Sequence, residues 1–157
     1  MIKINVIAVG KVKEEYFQKG IEEYSKRLSR FCDFNIIEVG EENYKKIDNG
    51  IIQTILEKEG AKILPLLKGY VFALAIEGKK FSSESFAKEI EQKAVIGNGT
   101  ITFVIGGSYG ISNEVKKRAN SLISFSDMTF PHTLFRLMLT EQVYRAFCIN
   151  SGVAYHK

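Results

Sequence analysis

The 157-residue chain has two cysteines, Cys32 and Cys148, and two prolines, Pro65 and Pro131. The cysteines lie far apart and match no Cys-x-x-Cys spacing, so neither a metal site nor a disulfide framework is expected; both read as buried, reduced thiols. Long apolar runs are missing too. The opening Met1-Ile2-Lys3-Ile4-Asn5-Val6 alternates polar residues with aliphatics, which argues against a signal peptide or a membrane helix and predicts a cytoplasmic protein. There is no internal repeat, low-complexity tract or linker. With 45% hydrophobic residues and eleven Phe, the chain can bury one sizeable core but has no room for two, so residues 1–157 are read as a single domain.

Net charge is +4 and uneven. Residues 1–30 carry seven basic and four acidic side chains, whereas residues 31–60 carry three and seven. The C-terminal stretch 101–157 carries six and three, so the two ends are the better surface for a polyanion, although a modest lysine excess equally describes a solvated surface.

Apolar periodicity predicts alternating strands and helices. Ile2–Val9 is a β-branched strand, followed by a helix from Glu14 with apolar residues at Phe17, Ile21, Tyr24, Leu28 and Phe31. Strand-like runs recur at Phe34–Val39, Tyr70–Ile76, Thr100–Ile105 and Leu122–Ser126. The helices between them carry Ile52 to Leu67, with Pro65 ending or kinking the turn, then Ser82 to about Val95 and Ser112–Asn120. A final helix spans about Thr133–Asn150. This order predicts an α/β fold, a mainly parallel five-stranded sheet with helices on both faces. Ligands of such sheets bind beyond the carboxyl ends of the strands, which directs attention to the loops after Ile76, Ile105 and Ser126.

Gly106-Gly107-Ser108-Tyr109-Gly110 follows the fourth strand. Two glycines there allow a nucleotide-like ligand to approach the backbone, or simply make a tight turn into a helix. The spacing is neither Gly-x-Gly-x-x-Gly nor a phosphate-binding P-loop, which disfavours an ordinary dinucleotide or nucleoside triphosphate. The loop Ser126–His132 reads as a second pocket wall or as an ordinary helix entry at Pro131. The last helix is apolar over more than one stripe and requires cover on two sides, which a second subunit in a symmetric dimer would supply. Glu141 and Arg145 interrupt it as an i,i+4 ion pair or as catalytic groups. The tail Tyr155-His156-Lys157 suits stacking on an unpaired base beside a phosphate, or is a frayed end.

Taken together, Phe103–Gly110, Met128–His132, Glu141-Gln142-Val143-Tyr144-Arg145-Ala146-Phe147 and Tyr155-His156-Lys157 closely resemble the RlmH family, minimal members of the SPOUT class of RNA methyltransferases. Ile7-Ala8-Val9-Gly10-Lys11 and the chain length match as well. The resemblance implies a SPOUT-type α/β knot, a C-terminal trefoil threading that no periodicity argument would propose, and a homodimer packed through it. It implies S-adenosylmethionine bound by Leu74, Gly107 and the loop Ser126, Asp127, Met128, Thr129, Phe130 and Pro131, with no metal. The implied reaction is methyl transfer to N3 of a pseudouridine in helix 69 of 23S ribosomal RNA, on the assembled ribosome. On that reading His132, Arg145, Tyr155 and His156 face the flipped nucleoside. His156 is then the first candidate for proton acceptance or orientation, because imidazole titrates near neutrality, and Arg145 for stabilising the developing imide anion. A non-catalytic RNA- or ribosome-binding protein and a flavodoxin-like nucleotide module are the rival expectations.

Overall fold

The computed structural model describes residues 1–157. Five strands form it: β1 (Lys3–Val9), β2 (Asp33–Val39), β3 (Tyr70–Lys80), β4 (Thr100–Ile105) and β5 (Ser121–Ser124). They make one sheet in the order β2-β1-β4-β3-β5, with every pair parallel. Four helices connect them, α1 (Glu15–Leu28), α2 (Asn49–Ile63), α3 (Ser83–Ile96) and α4 (Asn113–Arg118), and a fifth, α5 (His132–Ser151), follows β5.

Alternation along the strands divides the interior into two layers. Ile4, Val6, Ala8, Phe72, Ile101, Phe103 and Ile105 point to one face, where Leu28 of α1, Phe86 and Ile90 of α3 and Leu139 and Val143 of α5 cover them. Phe103 stacks on Phe72 at 5.3 Å between ring centroids. Ile7, Val9, Val71, Ala73 and Val104 point to the other face, beneath Ile63 of α2 and Val115 of α4. The five-stranded α/β architecture with helices on both faces is therefore as the sequence predicts. Both cysteines are free and buried, and burial pushes the Cys32 thiol up to about 12.

The element boundaries follow local chemistry. Ser82, Ser112 and Asp48 cap α3, α4 and α2 by accepting from the amides of Ser85, Val115 and Ile51. Pro65 ends α2 early: a 3-10 turn, Leu64–Leu66, replaces the last predicted turn, so Leu67 lies outside the helix. Phe31 likewise falls beyond α1, which stops at Leu28, and still packs against the core from the turn that follows. Gly152, in the left-handed conformation at φ 70°, ends α5.

The largest difference from the sequence reading concerns β3, which continues four residues past the expected end at Ile76. Its pairing with β5 is interrupted: Leu74 and Lys79 both partner Ile123, so residues 75–78 bulge out of the ladder. The chain passes so close to β5 there that a Cβ at Gly78 would lie 2.6 Å from the backbone nitrogen of Ile123. Only glycine fits.

A second buried feature lies on α2. Glu59 is 3% exposed, and its carboxylate accepts the amide of Glu42. Desolvation raises its pKa, and the neighbouring Glu41 and Glu42 add to the rise, against the Glu42 amide and Lys62, which lower it. A carboxyl raised in the folded state contributes most stability below its unfolded pKa, and that contribution is lost as pH rises through the folded value.

Two outcomes follow. Gly78→Ala forces backbone apart at the β3–β5 crossing and should cost about 1–3 kcal/mol, as overpacking does, read as a lowered midpoint in urea. Glu59→Gln keeps an acceptor for the Glu42 amide and removes the buried charge, so it should raise the melting temperature at pH 8, with the gain shrinking towards pH 4.

Candidate active site

The carboxyl ends of β3, β4 and β5 open onto a cavity of about 650 Å³. Its walls are Leu74–Glu77 from β3, Ile105–Ser108 with Gly110 and Ile111 from the β4 loop, and Ile123–Ser126 with Thr129–His132 from the β5 loop; Lys116 of α4 and Phe135 of α5 complete them. The sheet positions all three loops, because parallel strands end together on one side and leave the crevice that such folds use for ligands.

Gly107 packs closely on its inner side. A Cβ there would lie 3.1 Å from Val9 Cγ1 and 3.2 Å from Glu59 Oε1. The buried Glu59 thus sits directly behind the glycine turn, whose narrow form is set by an isolated bridge between Gly107 and Gly110. A Cβ on Gly106 would strike the backbone of Gly110. Glycine is needed at 106 for the turn to fold back on itself beside the cavity, and at 107 it spares Val9 and Glu59 from having to shift.

The β5 loop is pinned at two points. The Met128 amide donates to Ser126 Oγ at 3.0 Å, and Lys80 reaches Asp127 at 2.5 Å. Phe130 and Phe135 meet edge to face at 5.5 Å. Of the residues expected to hold a cofactor, Leu74, Gly107, Ser126, Thr129, Phe130 and Pro131 line the cavity. Asp127 and Met128 do not: the Asp127 side chain is 84% exposed beside Lys80, and Met128 is 70% exposed.

His132 also lines this cavity, one helical turn before Arg136. Arg136 is buried on α5, pairs with Glu38 and donates to the Gly10 carbonyl. It thereby ties the start of α5 to the ends of β1 and β2.

Arg145, Tyr155 and His156 form a separate cluster. The Arg145 guanidinium donates twice to Glu141, from Nε at 3.0 Å and from Nη2 at 2.6 Å, and lies 4.8 Å over the Tyr155 ring. Tyr155 donates to the same carboxylate oxygen at 3.1 Å. His156 Nδ1 is 3.0 Å from Arg145 Nη1, and its Nε2 is 2.6 Å from Glu84 Oε1 on α3. A guanidinium only donates, so Nδ1 accepts, and in the neutral ring the proton resides on Nε2 and is given to Glu84. Burial and a hydrogen bond to Tyr24 push the Tyr155 phenol above its ordinary range. The hydrogen bond from Arg145 to Glu141 stabilises the guanidinium cation. In this arrangement Tyr155 stays protonated, Arg145 stays charged, and both ring nitrogens of His156 are engaged. The cluster holds the guanidinium, the phenol and the imidazole in fixed orientations between two carboxylates, Glu141 and Glu84.

Cavity and cluster lie at opposite ends of α5. From His132 to Arg145 the helix rises about 20 Å, so one chain does not bring the two groups of residues together. Glu59, Arg136, Glu77 and Lys116 were not singled out in the sequence. The signals were present for two of them: Arg136 is a charge inside an apolar helix, and Glu77 opens a loop on the ligand side of the sheet.

No group of three or more His, Cys, Asp or Glu is placed to hold a metal ion, and no helix is long and apolar enough to cross a membrane.

Known proteins match this architecture. Two solved structures share the fold: a Haemophilus influenzae protein described as belonging to a methylase family (TM-score 0.55, 12% identity, 95% of this chain and 66% of that one) and a Legionella pneumophila protein described as a methyltransferase with the cofactor SAM bound (TM-score 0.51, 13% identity, 92% and 66%). Residues 2–156 match the family model described as "Predicted SPOUT methyltransferase". Proteins named ribosomal RNA large subunit methyltransferase H from Ligilactobacillus salivarius and Streptococcus thermophilus are each 53% identical, over 99% of this chain and 100% of theirs. Identity of that depth over nearly the whole length, on a sheet whose strand ends carry the cavity, means that the chain belongs to the ribosomal RNA large subunit methyltransferase H family of SPOUT methyltransferases.

Proposed function

We propose that the protein is a single-domain, cytoplasmic, S-adenosylmethionine-dependent methyltransferase acting on N3 of a pseudouridine in helix 69 of 23S ribosomal RNA, within the assembled ribosome. The observation that carries this reading is the cavity at the ends of β3, β4 and β5 in a chain of this family. Its walls fit the donor: apolar side chains such as Leu74, Ile105 and Phe130 suit adenine, and the hydroxyls of Ser124, Ser126 and Thr129 suit a ribose. The glycine turn, backed by Val9 and Glu59, gives a backbone-lined wall against which a nucleoside can lie. When bound, the cofactor supplies a methyl group on a sulfonium for in-line displacement.

The residues of the chain then position the acceptor. Arg145, held by Glu141, is oriented to stabilise negative charge as an imide nitrogen loses its proton. Tyr155, under the guanidinium and bonded to Glu141, holds Arg145 in place, and His156, fixed between Arg145 and Glu84, orients rather than deprotonates. An imide is acidic enough that positioning supplies most of the acceleration. His132, on the cavity wall, is the imidazole nearest the donor side.

The separation of about 20 Å along α5 supports a homodimer in which one protomer's cavity meets its partner's Arg145 cluster. On α5, Leu134, Phe135, Leu137 and Met138 remain only half-buried after α1 and α3 have packed against the helix, leaving apolar surface for a second copy.

Two variants test the reading on ribosomes. Gly107→Arg should lose calorimetric binding of S-adenosylhomocysteine and all methyl transfer. His156→Ala should retain binding and lose about 100-fold or more in turnover, as removal of an orienting or acid–base group does. In a mixed dimer of the two, the intact cavity and the intact tail come together once, and activity should return. If the mixture stays inactive while each parent dimer is folded, the shared-site arrangement is wrong; if wild type binds RNA but no S-adenosyl compound, the enzymatic reading is wrong.

A further inference from the structure

Among the cavity-lining residues, Glu77 and Lys116 are the two whose side chains carry full charges at neutral pH. Every other lining side chain is apolar, a hydroxyl, or the imidazole of His132. The two come from different walls. Glu77 sits on the bulge between Leu74 and Lys79, pushed out of the sheet where β3 crosses β5, and Lys116 sits on α4 on the far side. Lys116 Nζ donates to Glu77 Oε1 at 2.6 Å.

The pair is out of place as a stabilising device. The Glu77 side chain is 54% exposed and the Lys116 side chain 27%, and ion pairs so open to solvent contribute little. Opening it therefore costs little too. As a binding device it matches one chemistry closely. An α-amino acid carries an ammonium and a carboxylate on a single carbon, so its two charges lie about as far apart as those of a paired carboxylate and ammonium, with the signs exchanged. Each protein charge can leave its partner and take the opposite charge of the ligand in a charge-assisted hydrogen bond. The apolar and hydroxyl-bearing remainder of the cavity suits the nucleoside and leaves this charged edge for the polar end.

Resting on the donor reading above, we propose that Glu77 and Lys116 bind the amino-acid head of the S-adenosyl donor, Glu77 taking the α-ammonium and Lys116 the α-carboxylate. The pair is then a specificity element. It distinguishes donors and products that keep the methionyl or homocysteinyl head from nucleosides that have lost it, and it contacts the ligand directly without touching the reacting methyl group.

Titration calorimetry with two probes tests the assignment. S-adenosylhomocysteine has the head, whereas 5′-methylthioadenosine keeps adenine, ribose and sulfur without it. Wild type should prefer S-adenosylhomocysteine. Glu77→Gln and Lys116→Met should each weaken that probe about tenfold, the lower end of what a hydrogen bond to a charged group contributes, and leave 5′-methylthioadenosine within twofold of wild type. Unchanged 5′-methylthioadenosine binding also shows that the variants are folded and the cavity intact. An equal loss for both probes would place the pair at the ribose or base and overturn the proposal, and no loss for either would leave it a surface ion pair and overturn it as well. If wild type binds neither probe, the donor reading itself falls, and this assignment with it.

Discussion

The cavity of this molecule depends on one interruption in a hydrogen-bonded ladder. Leu74 and Lys79 share a single partner, Ile123, so the four residues between them leave the sheet where β3 passes β5. An uninterrupted ladder would run Ala75 and its successors alongside Ser124 and Phe125. The bulge instead carries Glu77 outward to face Lys116, while Gly78 lets the chain return against the β5 backbone. Strand edges and bulges commonly re-aim side chains towards sites. Here the displaced segment becomes a wall of the cavity.

The opposite wall is supported from behind. Glu59, on α2, is buried against the inner side of Gly107, and it holds the loop after β2 through the Glu42 amide. A buried carboxylate behind a glycine turn is costly unless it is protonated or fully bonded. It lies directly behind the turn, and the surrounding acidic residues, Glu41 among them, keep its charge disfavoured. Arg136 acts similarly at the start of α5: it anchors the helix to Gly10 and Glu38, next to His132. These two buried ionisable side chains connect β1, β2, α2 and α5 to the edge of one cavity.

The length of α5 sets the logic of the other half. A straight helix that begins at the cavity and ends beside α3 holds Arg145, Tyr155 and His156 in a network with Glu141 and Glu84. That network fixes proton positions. Its cation, phenol and imidazole are all engaged with Glu141, Glu84 or one another, and none of them is left as a free base. The distance along the helix is the physical reason to look for the complementary cavity on a second copy of the chain.

By itself, the sequence determined the five strands, a mainly parallel sheet and helices on both its faces, because alternation and 3.6-residue periodicity record which side of each element is buried. It also marked Gly106-Gly107, the Ser126–Pro131 loop, Arg145 and the Tyr155–His156 tail, because unusual residue types stood at strand ends, within an apolar helix and in the tail. The Glu141–Arg145 ion pair, left open in the sequence, is formed. Only the tertiary structure decided where these groups meet. Glu77 finds Lys116 across 39 positions, and Arg136 finds Gly10 across 126. Periodicity describes one element at a time and carries no record of such pairings. The extension of β3 to Lys80, the burial of Glu59 behind Gly107, and the separation of cavity and tail along α5 all arise from how finished elements pack. Asp127 and Met128 show the same limit: both lie in the expected loop, yet local packing turns them to solvent while their neighbours line the cavity.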